Sequence, residues 1–218
     1  MTLNRAESLK ATFAVSAFFY HAYVGEEKYL MRREAQIVRK GTNHEKADAI
    51  IVMLNPGSCK PTCEIGEGSL ENRKMLSATP DQTQYQLMNL MERLHWNKLT
   101  IVNLSDICEG NSTRFRVIEQ KFNLQSKPHS IFHSSNTNER NTLLRNANHL
   151  IFAWGETSTA KRLAKEFGLY DERKALSTYR DMKAVIHPTR YFPLHPKPAL
   201  REARIAWLNN ITPLLTGM

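Results

Sequence analysis

The stretch ADAIIVMLNPG, residues 47–57, carries the clearest fold signal in the chain. Its apolar centre is short and ends at Asn55-Pro56-Gly57, a pattern that predicts a buried strand followed by a turn. Asn-Pro and Pro-Gly both favour turns, because proline fixes φ and glycine accepts positive φ. The segment therefore predicts one buried strand of a sheet, with a tight turn at its carboxyl end.

Segments with the properties of strands and helices alternate along the rest of the chain. KLTIVNLSD (98–106), LIFAWG (150–155) and MKAVIHP (182–188) are short, apolar segments typical of strands. Helical spacing, or helix start and stop signals, mark 85–96, 138–149, 157–168 and 198–211. The alternation predicts an α/β fold, a three-layer α/β/α sandwich with a central four-stranded parallel sheet. Residues 1–45 fit either a hairpin or a strand and a helix, and we expect an antiparallel extension packed on the sheet.

The composition is that of an ordinary globular protein. The chain has 218 residues, 41% of them hydrophobic and 23% charged, which excludes a disordered, collagen-like or low-complexity protein. We expect one domain over residues 1–218. No apolar run reaches the ~18 residues of a membrane span, and the first residues lack the features of a signal peptide. Cys59, Cys63 and Cys108 do not make a disulfide framework, so we expect a cytoplasmic protein.

Positive charge is concentrated near the carboxyl terminus. The net charge is +9, and residues 173–218 contain eight Lys and Arg against Asp181 and Glu202. Lys and Arg displace counterions from nucleic acid, so this segment predicts a DNA-contacting face. Solvated surface charge is the alternative, because a basic pI does not define a fold.

Polar residues follow each predicted strand. They are Asn55-Pro56-Gly57, Asn103-Leu104-Ser105-Asp106, Trp154-Gly155-Glu156 and His187-Pro188. Ligands of open α/β sheets bind at the carboxyl edge of the strands. The sequence therefore predicts a binding site along one rim of the sheet.

Four of these strand-end motifs and their order resemble the uracil-DNA glycosylase superfamily. They are MLNPG, VNLSD, FAWG and the later HPKP, and the Asn-Pro-Gly form is similar to the mismatch-specific branch. LNPGS, Asp81-Gln82-Thr83, Val102-Asn103-Leu104, Ala153-Trp154-Gly155 and His195-Pro196 also resemble a bacterial and phage domain family of unknown function, DUF1643. The resemblance covers about residues 45–200. It implies a uracil-DNA glycosylase-like fold in which the first motif positions a water, the second reads a flipped base, and the His-Pro-x-Pro loop supplies a histidine to the leaving group.

The turn after the first strand supplies the candidate water site. The side-chain carbonyl of Asn55 can hold a water, Pro56 fixes the loop, and Gly57 lets the backbone approach a bound base. A plain β-turn explains the same residues. Glu64, in the loop that follows, is the candidate for a stronger water-activating base.

The residues expected to contact the base leave alternatives open. Asn103 offers a carbonyl and an amide to a pyrimidine edge, or it caps the loop after its strand. His195 is the candidate for stabilising the leaving base, with His187 as the alternative, since both precede proline. Asp81 and Asp106 are expected to be helix-cap or turn residues.

The candidate DNA-contacting residues lie in and after the proline-punctuated loop. Tyr191, Phe192 and Leu200 are expected to fill the space that a flipped base leaves, although Phe192 can equally seal the core beneath the loop. The full set is Arg190, Tyr191, Phe192, Lys197, Leu200, Arg201 and Arg204.

These residues together predict a monofunctional DNA glycosylase that flips a base, hydrolyses its N-glycosidic bond and leaves an abasic site. In the family that the chain resembles, the Asp-Pro-Tyr form of the first motif carries a tyrosine that excludes the methyl group of thymine, and this chain lacks it. Together with the small residues in the long loop after Asn55, this difference indicates a base bulkier than uracil, such as a modified cytosine in phage DNA, and an antiviral role. A non-catalytic nucleic-acid-binding module and a nucleoside or nucleotide-sugar hydrolase or transferase are the alternatives. We expect DNA as the partner, and no cofactor, bound metal, membrane contact or obligatory protein partner, since three cysteines cannot ligate an iron–sulfur cluster.

Overall fold

A computed structural model of the chain describes residues 3–66, 73–171 and 182–217. The strands are β1 (Phe13–Val24), β2 (Glu27–Arg39), β3 (Ala47–Met53), β4 (Lys60–Pro61), β5 (Met75–Thr79), β6 (Lys98–Asn103), β7 (Ala147–Phe152) and β8 (Met182–Lys183). The helices are α1 (Ala6–Thr12), α2 (Gln82–Leu94), α3 (Ser112–Leu124), α4 (Thr137–Arg145), α5 (Ser158–Glu166) and α6 (Arg201–Thr216), with one 3-10 turn at Ser134–Asn136.

The described strands form one mixed sheet in the order β4-β5-β1-β2-β6-β3-β7-β8. The four predicted strands lie side by side and are parallel, with Ile51 of β3 opposite Ile101 of β6 and Ile151 of β7. The prediction of a parallel centre is therefore confirmed only in part, because the β4-β5-β1-β2-β6 ladders are antiparallel.

Within the predicted extension, residues 13–39 add strands to the sheet, and only α1 packs on it. β1 and β2 form the predicted antiparallel hairpin, and β2 continues the hydrogen-bonded sheet by pairing antiparallel with β6, Ala35 opposite Ile101. β6 would otherwise be an edge strand with unpaired backbone groups, and the long β2 covers that edge. The hairpin, together with β4 and β5, thus forms the antiparallel half of the sheet.

Helices cover both faces, as the prediction of three layers requires. One face packs Ile51 and Phe19 against α1, α2 and α6, through side chains that include Leu87 and Trp207. The other packs Ile50, Val52 and Phe152 against α4 and α5. Beyond the hairpin, α3 packs Phe115 and Phe122 against Phe18 and Tyr20.

Several element boundaries differ from the predicted ones. The helix expected over 138–149 ends at Arg145, and β7 begins at Ala147 because it pairs with β3 from Ala47 onward. The strand expected over 182–188 is only Met182–Lys183 in the described part of the chain. Helix α3 was not predicted, since only Phe115, Glu119 and Phe122 of its thirteen residues are buried.

A β-bulge at Arg33 directs two neighbouring arginines to opposite faces. Phe18 pairs with Glu34 and Phe19 with Arg32, so Arg33 has no cross-strand partner. Arg32 shares the α2–α6 face with Phe19, whereas Arg33 lies on the α3 face. There its Nη1 is 2.8 Å from Oδ2 of Asp106.

Asp106 is a fully buried charge partner, which corrects the expectation of a cap or turn residue. The hydroxyl of Tyr20 donates to its Oδ2 at 2.8 Å. Burial raises the pKa of Asp106 to about 7, and the neighbouring Arg33 opposes that rise. Arg33 therefore stabilises the ionised form of the Asp106 carboxyl group.

Replacing Arg33 with methionine is expected to destabilise the protein in a pH-dependent way. The change leaves the buried Asp106 carboxylate without its cation, so the free energy of unfolding at pH 8 falls by about 3–5 kcal/mol. Losing the cation raises the pKa of Asp106 further. The loss of stability is therefore smaller at pH 5, where the carboxyl is protonated in the folded state. Urea unfolding at the two pH values measures both effects.

The matched control is Arg114→Met, because the side chain of Arg114 is 75% exposed where it pairs with Glu109. It should change stability by about 0.5 kcal/mol or less at either pH. A loss below about 1 kcal/mol for Arg33→Met at pH 8 would contradict the assignment.

Candidate active site

A polar cavity of about 90 Å³ lies at the carboxyl ends of β3 and β6. Five separate parts of the chain supply its wall: the hairpin, the end of β3 with the turn after it, the start of α2, β6, and the loop before α6. Its polar side chains are Arg32, Asn55, Asp81, Thr83, Gln84 and His195, with Pro56 and Gly57 contributing to the wall. The structure thus brings together the predicted residues Asn55, Pro56, Gly57 and His195, and adds Arg32 and Asp81.

Asn55 is held in one orientation at the cavity. Its Nδ2 donates to the carbonyl oxygen of Glu109 at 2.5 Å. Since that bond fixes the amide group, Oδ1 is the end available to accept a hydrogen bond from a ligand or water. The local fold therefore leaves Oδ1 of Asn55 as the end of the amide that can accept a hydrogen bond at the cavity wall.

Asn103 lies behind the cavity wall and is fully buried. With its amide oriented to match its neighbours, Nδ2 donates to the carbonyl oxygen of Asn55 at 3.1 Å and Oδ1 accepts from Nη2 of Arg32 at 3.3 Å. Both ends of the amide are used inside the protein. The predicted role in reading a base is therefore corrected, and Asn103 is a positioning residue for Asn55 and Arg32.

Arg32 brings a buried positive charge to the cavity. Its residue surface is 3% exposed, and its Nη1 donates to the carbonyl oxygen of Pro56 at 3.4 Å. Within the described ranges, no carboxylate forms an ion pair with Arg32 and its Nε has no hydrogen-bond partner. A buried guanidinium bonded to uncharged oxygens keeps its positive charge available to an anionic group, so Arg32 is a candidate ligand-binding residue. The sequence signal was Arg32-Arg33 inside an apolar strand, in a segment we expected to be only an extension.

Asp81 confirms the predicted helix cap and also faces the cavity. Its Oδ1 accepts from the backbone N–H groups of Thr83 at 2.8 Å and Gln84 at 2.9 Å, and Gln84 Oε1 accepts from the Asp81 N–H. Its Oδ2 points towards Gly57, where an added Cβ would lie 3.3 Å from that oxygen. Gly57 also has φ +64°, so glycine meets both a backbone and a space requirement.

Glu64, the predicted alternative base, is exposed and does not line the cavity. Its loop runs away from the turn at Asn55 to form the short β4 (Lys60–Pro61), which pairs with β5. The carboxylate that the structure brings to this cavity is that of Asp81.

His195 is the histidine of this site. Its Nδ1 lies 3.1 Å from the backbone nitrogen of Lys197 and 3.3 Å from the carbonyl oxygen of the same residue. When Nδ1 accepts the Lys197 N–H, the proton of the neutral ring is on Nε2. Burial lowers the pKa of His195, while the Lys197 backbone and Asp81 act in the opposite direction. At neutral pH the ring is therefore an uncharged hydrogen-bond donor.

His187 lies outside the cavity. Its Nδ1 accepts from the N–H groups of Thr189 and Arg190, and its ring stacks on Phe192 with centroids 5.0 Å apart. The His187 side chain thus organises its own turn, and its contact with a base stays a prediction. Of the two histidines, His195 is the one that lines this cavity.

A second, mostly apolar pocket of about 430 Å³ shares His195 with the polar cavity. Val185, Phe192, Leu194, Ala206 and Trp207 form much of its wall. Its volume is that of a small-molecule site. One imidazole ring therefore borders both a water-sized polar space and a pocket large enough for a planar ring.

The predicted DNA-contacting residues divide into exposed and internal ones. Tyr191, Leu200 and Arg201 are exposed. Lys197 is half-buried, and Arg190 is paired with Glu156.

The prediction that Phe192 acts as a wedge is wrong, because Phe192 is 1% exposed beneath the ring of His187. Arg204 donates to the carbonyl oxygens of Pro198 and Ala199, so it closes its own loop. Arg173, Lys174 and Arg180 lie outside the described residues.

Among the described residues, no three or more His, Cys, Asp or Glu side chains are grouped as metal ligands would be. In the same part of the chain, no helix has both the length and the apolar character to cross a membrane. Cys59, Cys63 and Cys108 are free thiols.

Comparisons with family models, with curated proteins and with solved structures find no match to this chain. The resemblance to uracil-DNA glycosylases therefore stays a prediction. The geometry of the cavity is the basis for assigning a function.

Gly155→Ala is expected to disturb His195 specifically. Gly155 has φ +82°, and an added Cβ would lie 3.3 Å from the Cβ of His195. The backbone strain should lower the free energy of unfolding by about 1–2 kcal/mol, and the contact should push the ring outward. An NMR titration of the His195 Cε1–H should show a pKa below 6.5 in the wild type and a value closer to 6.5 in the variant.

Gly168→Ala is the matched control, because Gly168 has φ +69° and nothing lies within 4 Å of an added Cβ. It carries similar backbone strain and should leave the His195 titration unchanged. Identical His195 titrations in the two variants would show that Gly155 does not set the position of the ring.

Proposed function

We propose that this protein is a monofunctional DNA glycosylase that hydrolyses the N-glycosidic bond of a flipped base. The observation that carries the proposal is one cavity whose wall combines an amide acceptor, Asn55, a neutral histidine, His195, and the buried cation Arg32. Separate parts of the chain converge to build it, which a plain turn at Asn55 does not require.

The chemistry needs little more than placed charges and a placed water. The bond between C1′ and the base nitrogen breaks through an oxocarbenium-like sugar, and the electron pair leaves with the base. Nε2–H of His195 donates a hydrogen bond to the departing base, and Arg32 stabilises the negative charge that develops there. Oδ1 of Asn55 orients the water that bonds to C1′.

The strand-end motifs also support the proposal, since they meet in the folded chain. Asn103 contacts the backbone of Asn55, and Gly155 lies against His195. The parallel half of the sheet, with helices on both faces, is accordingly proposed to be a uracil-DNA glycosylase-like sandwich. The same four motifs suggested this family in the sequence.

The apolar pocket beside His195 favours a base larger than uracil. A volume of about 430 Å³ accommodates a substituted pyrimidine. A bulky modified cytosine of phage DNA is the substrate class we propose, with an antiviral role for its removal. Tyr191 and Leu200, which are 54% and 69% exposed, are the side chains available to fill the space left in the duplex.

Base release and its dependence on two residues test the activity. Duplexes containing uracil, mispaired thymine, 5-hydroxymethylcytosine or glucosylated cytosine are incubated with the protein, and released bases are identified by mass spectrometry. We expect one base to be released, leaving abasic sites without strand cleavage. Asn55→Ala and His195→Ala should each slow single-turnover release about 100-fold or more, because they remove the water acceptor and the leaving-group donor.

His187→Ala is the comparison variant and should keep most of the activity, because its ring lies outside the cavity. Salt-dependent DNA binding without release of any base would favour the non-catalytic binding module. Hydrolysis of free nucleosides but not of DNA would favour the small-molecule hydrolase.

Charge reversal on α6 tests the predicted DNA face. Arg201 is exposed at the start of this helix, next to the loop that carries His195. Arg201→Glu should weaken DNA binding and reduce the slope of log K against log salt by about 1, since one phosphate contact is lost.

Lys165→Glu is the control, because Lys165 is exposed in the last turn of α5, a helix that leads away from the carboxyl edge of β7. It should leave that slope unchanged. Equal effects of the two reversals would mean that binding follows net charge and not this face.

A further inference from the structure

The polar cavity contains a carboxylate that the sequence motif at Asn55 does not supply. An amide such as Asn55 can orient a water, but it cannot accept the proton that the water must lose. Asp81 can accept a proton, and its Oδ2 faces the cavity from the start of α2. The other oxygen is already occupied by two backbone N–H groups, which fixes the direction of the free one.

We propose that Asp81 is the general base of this site, and that it activates a water held between its Oδ2 and Oδ1 of Asn55. The inference rests on the proposed glycosylase function and adds the residue that takes the proton. The hydrogen bonds of the helix cap then fix the orientation of the Asp81 carboxylate.

The step balances with water as the only co-reactant. The water oxygen forms a bond to C1′ while the bond from C1′ to the base nitrogen breaks, and that electron pair leaves with the base. One proton of the water passes to Asp81 Oδ2. The base anion, held by His195 Nε2–H, takes a proton from solvent, and Asp81 then returns its proton to solvent.

Charged and uncharged groups from several elements surround Asp81 in the cavity. Arg32 reaches the cavity from β2 and brings a positive charge that has no ion-pair partner among the described residues. His195 comes from the loop before α6 and is neutral, while Lys197 of that loop adds a second positive charge nearby. Thr83 and Gln84 of α2 contribute uncharged groups. Among the described residues that line the cavity, Asp81 therefore has one cation, Arg32, and no second carboxylate.

Asp81→Asn separates the catalytic role from the capping role. Helix α3 shows that asparagine makes the same cap in this protein, because Asn111 Oδ1 accepts from the N–H groups of Thr113 and Arg114 at 3.0 Å each. The variant should therefore keep its melting temperature while losing the proton acceptor. The reverse change, Asn111→Asp, adds a carboxylate to a helix cap outside the cavity and is the matched control.

The experiment compares the wild type, Asp81→Asn and Asn111→Asp on the duplex that the wild type cleaves. We expect single-turnover base release to fall about 100-fold in Asp81→Asn and to stay unchanged in Asn111→Asp. Binding to a duplex with a tetrahydrofuran abasic site should change less than about threefold in either variant.

A second measurement needs no activity. The negative charge of Asp81 favours the protonated ring of His195, so Asp81→Asn should lower the pKa of His195 in the NMR titration. An unchanged His195 pKa would show that Oδ2 does not face the ring across the cavity, and would overturn the inference.

The outcomes distinguish the two proposals. Wild-type release with Asp81→Asn equally active overturns the role of Asp81 and leaves the glycosylase standing. No release by the wild type from any of the duplexes overturns the glycosylase and the catalytic role of Asp81 together. A lower melting temperature of Asp81→Asn with normal release would assign the residue to capping alone.

Discussion

A short chain of hydrogen bonds joins the two halves of the sheet at the point where the candidate site lies. Arg32 belongs to the antiparallel hairpin, Asn103 ends the first neighbouring parallel strand, and Asn55 follows the next. The guanidinium binds the amide of Asn103, and that amide binds the backbone of Asn55. The turn that carries the water acceptor is therefore held by a residue more than twenty positions earlier. The cavity depends on this connection, because neither half of the sheet supplies both its cation and its acceptor.

The two adjacent arginines illustrate how the protein treats buried charge. Arg33 has a partner, the buried Asp106, which Tyr20 also contacts, so charge is neutralised on the α3 face. Arg32 is as buried and is bonded only to uncharged oxygens, those of Pro56 and Asn103. A buried ion pair such as Arg33–Asp106 stabilises the fold, but its charges are neutralised and do not act on a ligand. A cation such as Arg32 keeps an attraction for negative charge that a ligand or a transition state can use.

The sequence predicted the elements whose signals are local. The parallel strands were visible as short apolar runs, and the cap at Asp81 from its place before a helical stretch. The pairing of β2 with β6 was not predictable, because nothing in residues 1–45 shows which edge the hairpin joins. Arg32 was missed for a related reason, since the bulge disrupts the alternation of β2 and hides the face on which each side chain lies.

Tertiary contacts also decided between residues that look alike in the sequence. His187 and His195 each precede proline, and only the fold shows that one organises a turn while the other borders the cavity. Asp81 and Glu64 are both carboxylates in loops after β3, and their order along the chain does not show which returns to Asn55. The direction of the second oxygen of Asp81 likewise depends on the close approach of Gly57, a contact between separate parts of the chain.

The bulge in β2 makes this strand one residue longer than regular alternation requires. Before it, Leu30 and Arg32 lie on the α2–α6 face, and after it Ala35 and Ile37 lie on that same face. The inward–outward alternation of side chains therefore changes phase at Arg33. Without this one residue, β2 would alternate regularly, and all its remaining side chains would stay on the faces they occupy now. Arg33 is thus the one residue that β2 has beyond a regular strand, and it supplies the counter-charge of Asp106 without changing the side-chain pattern of either core.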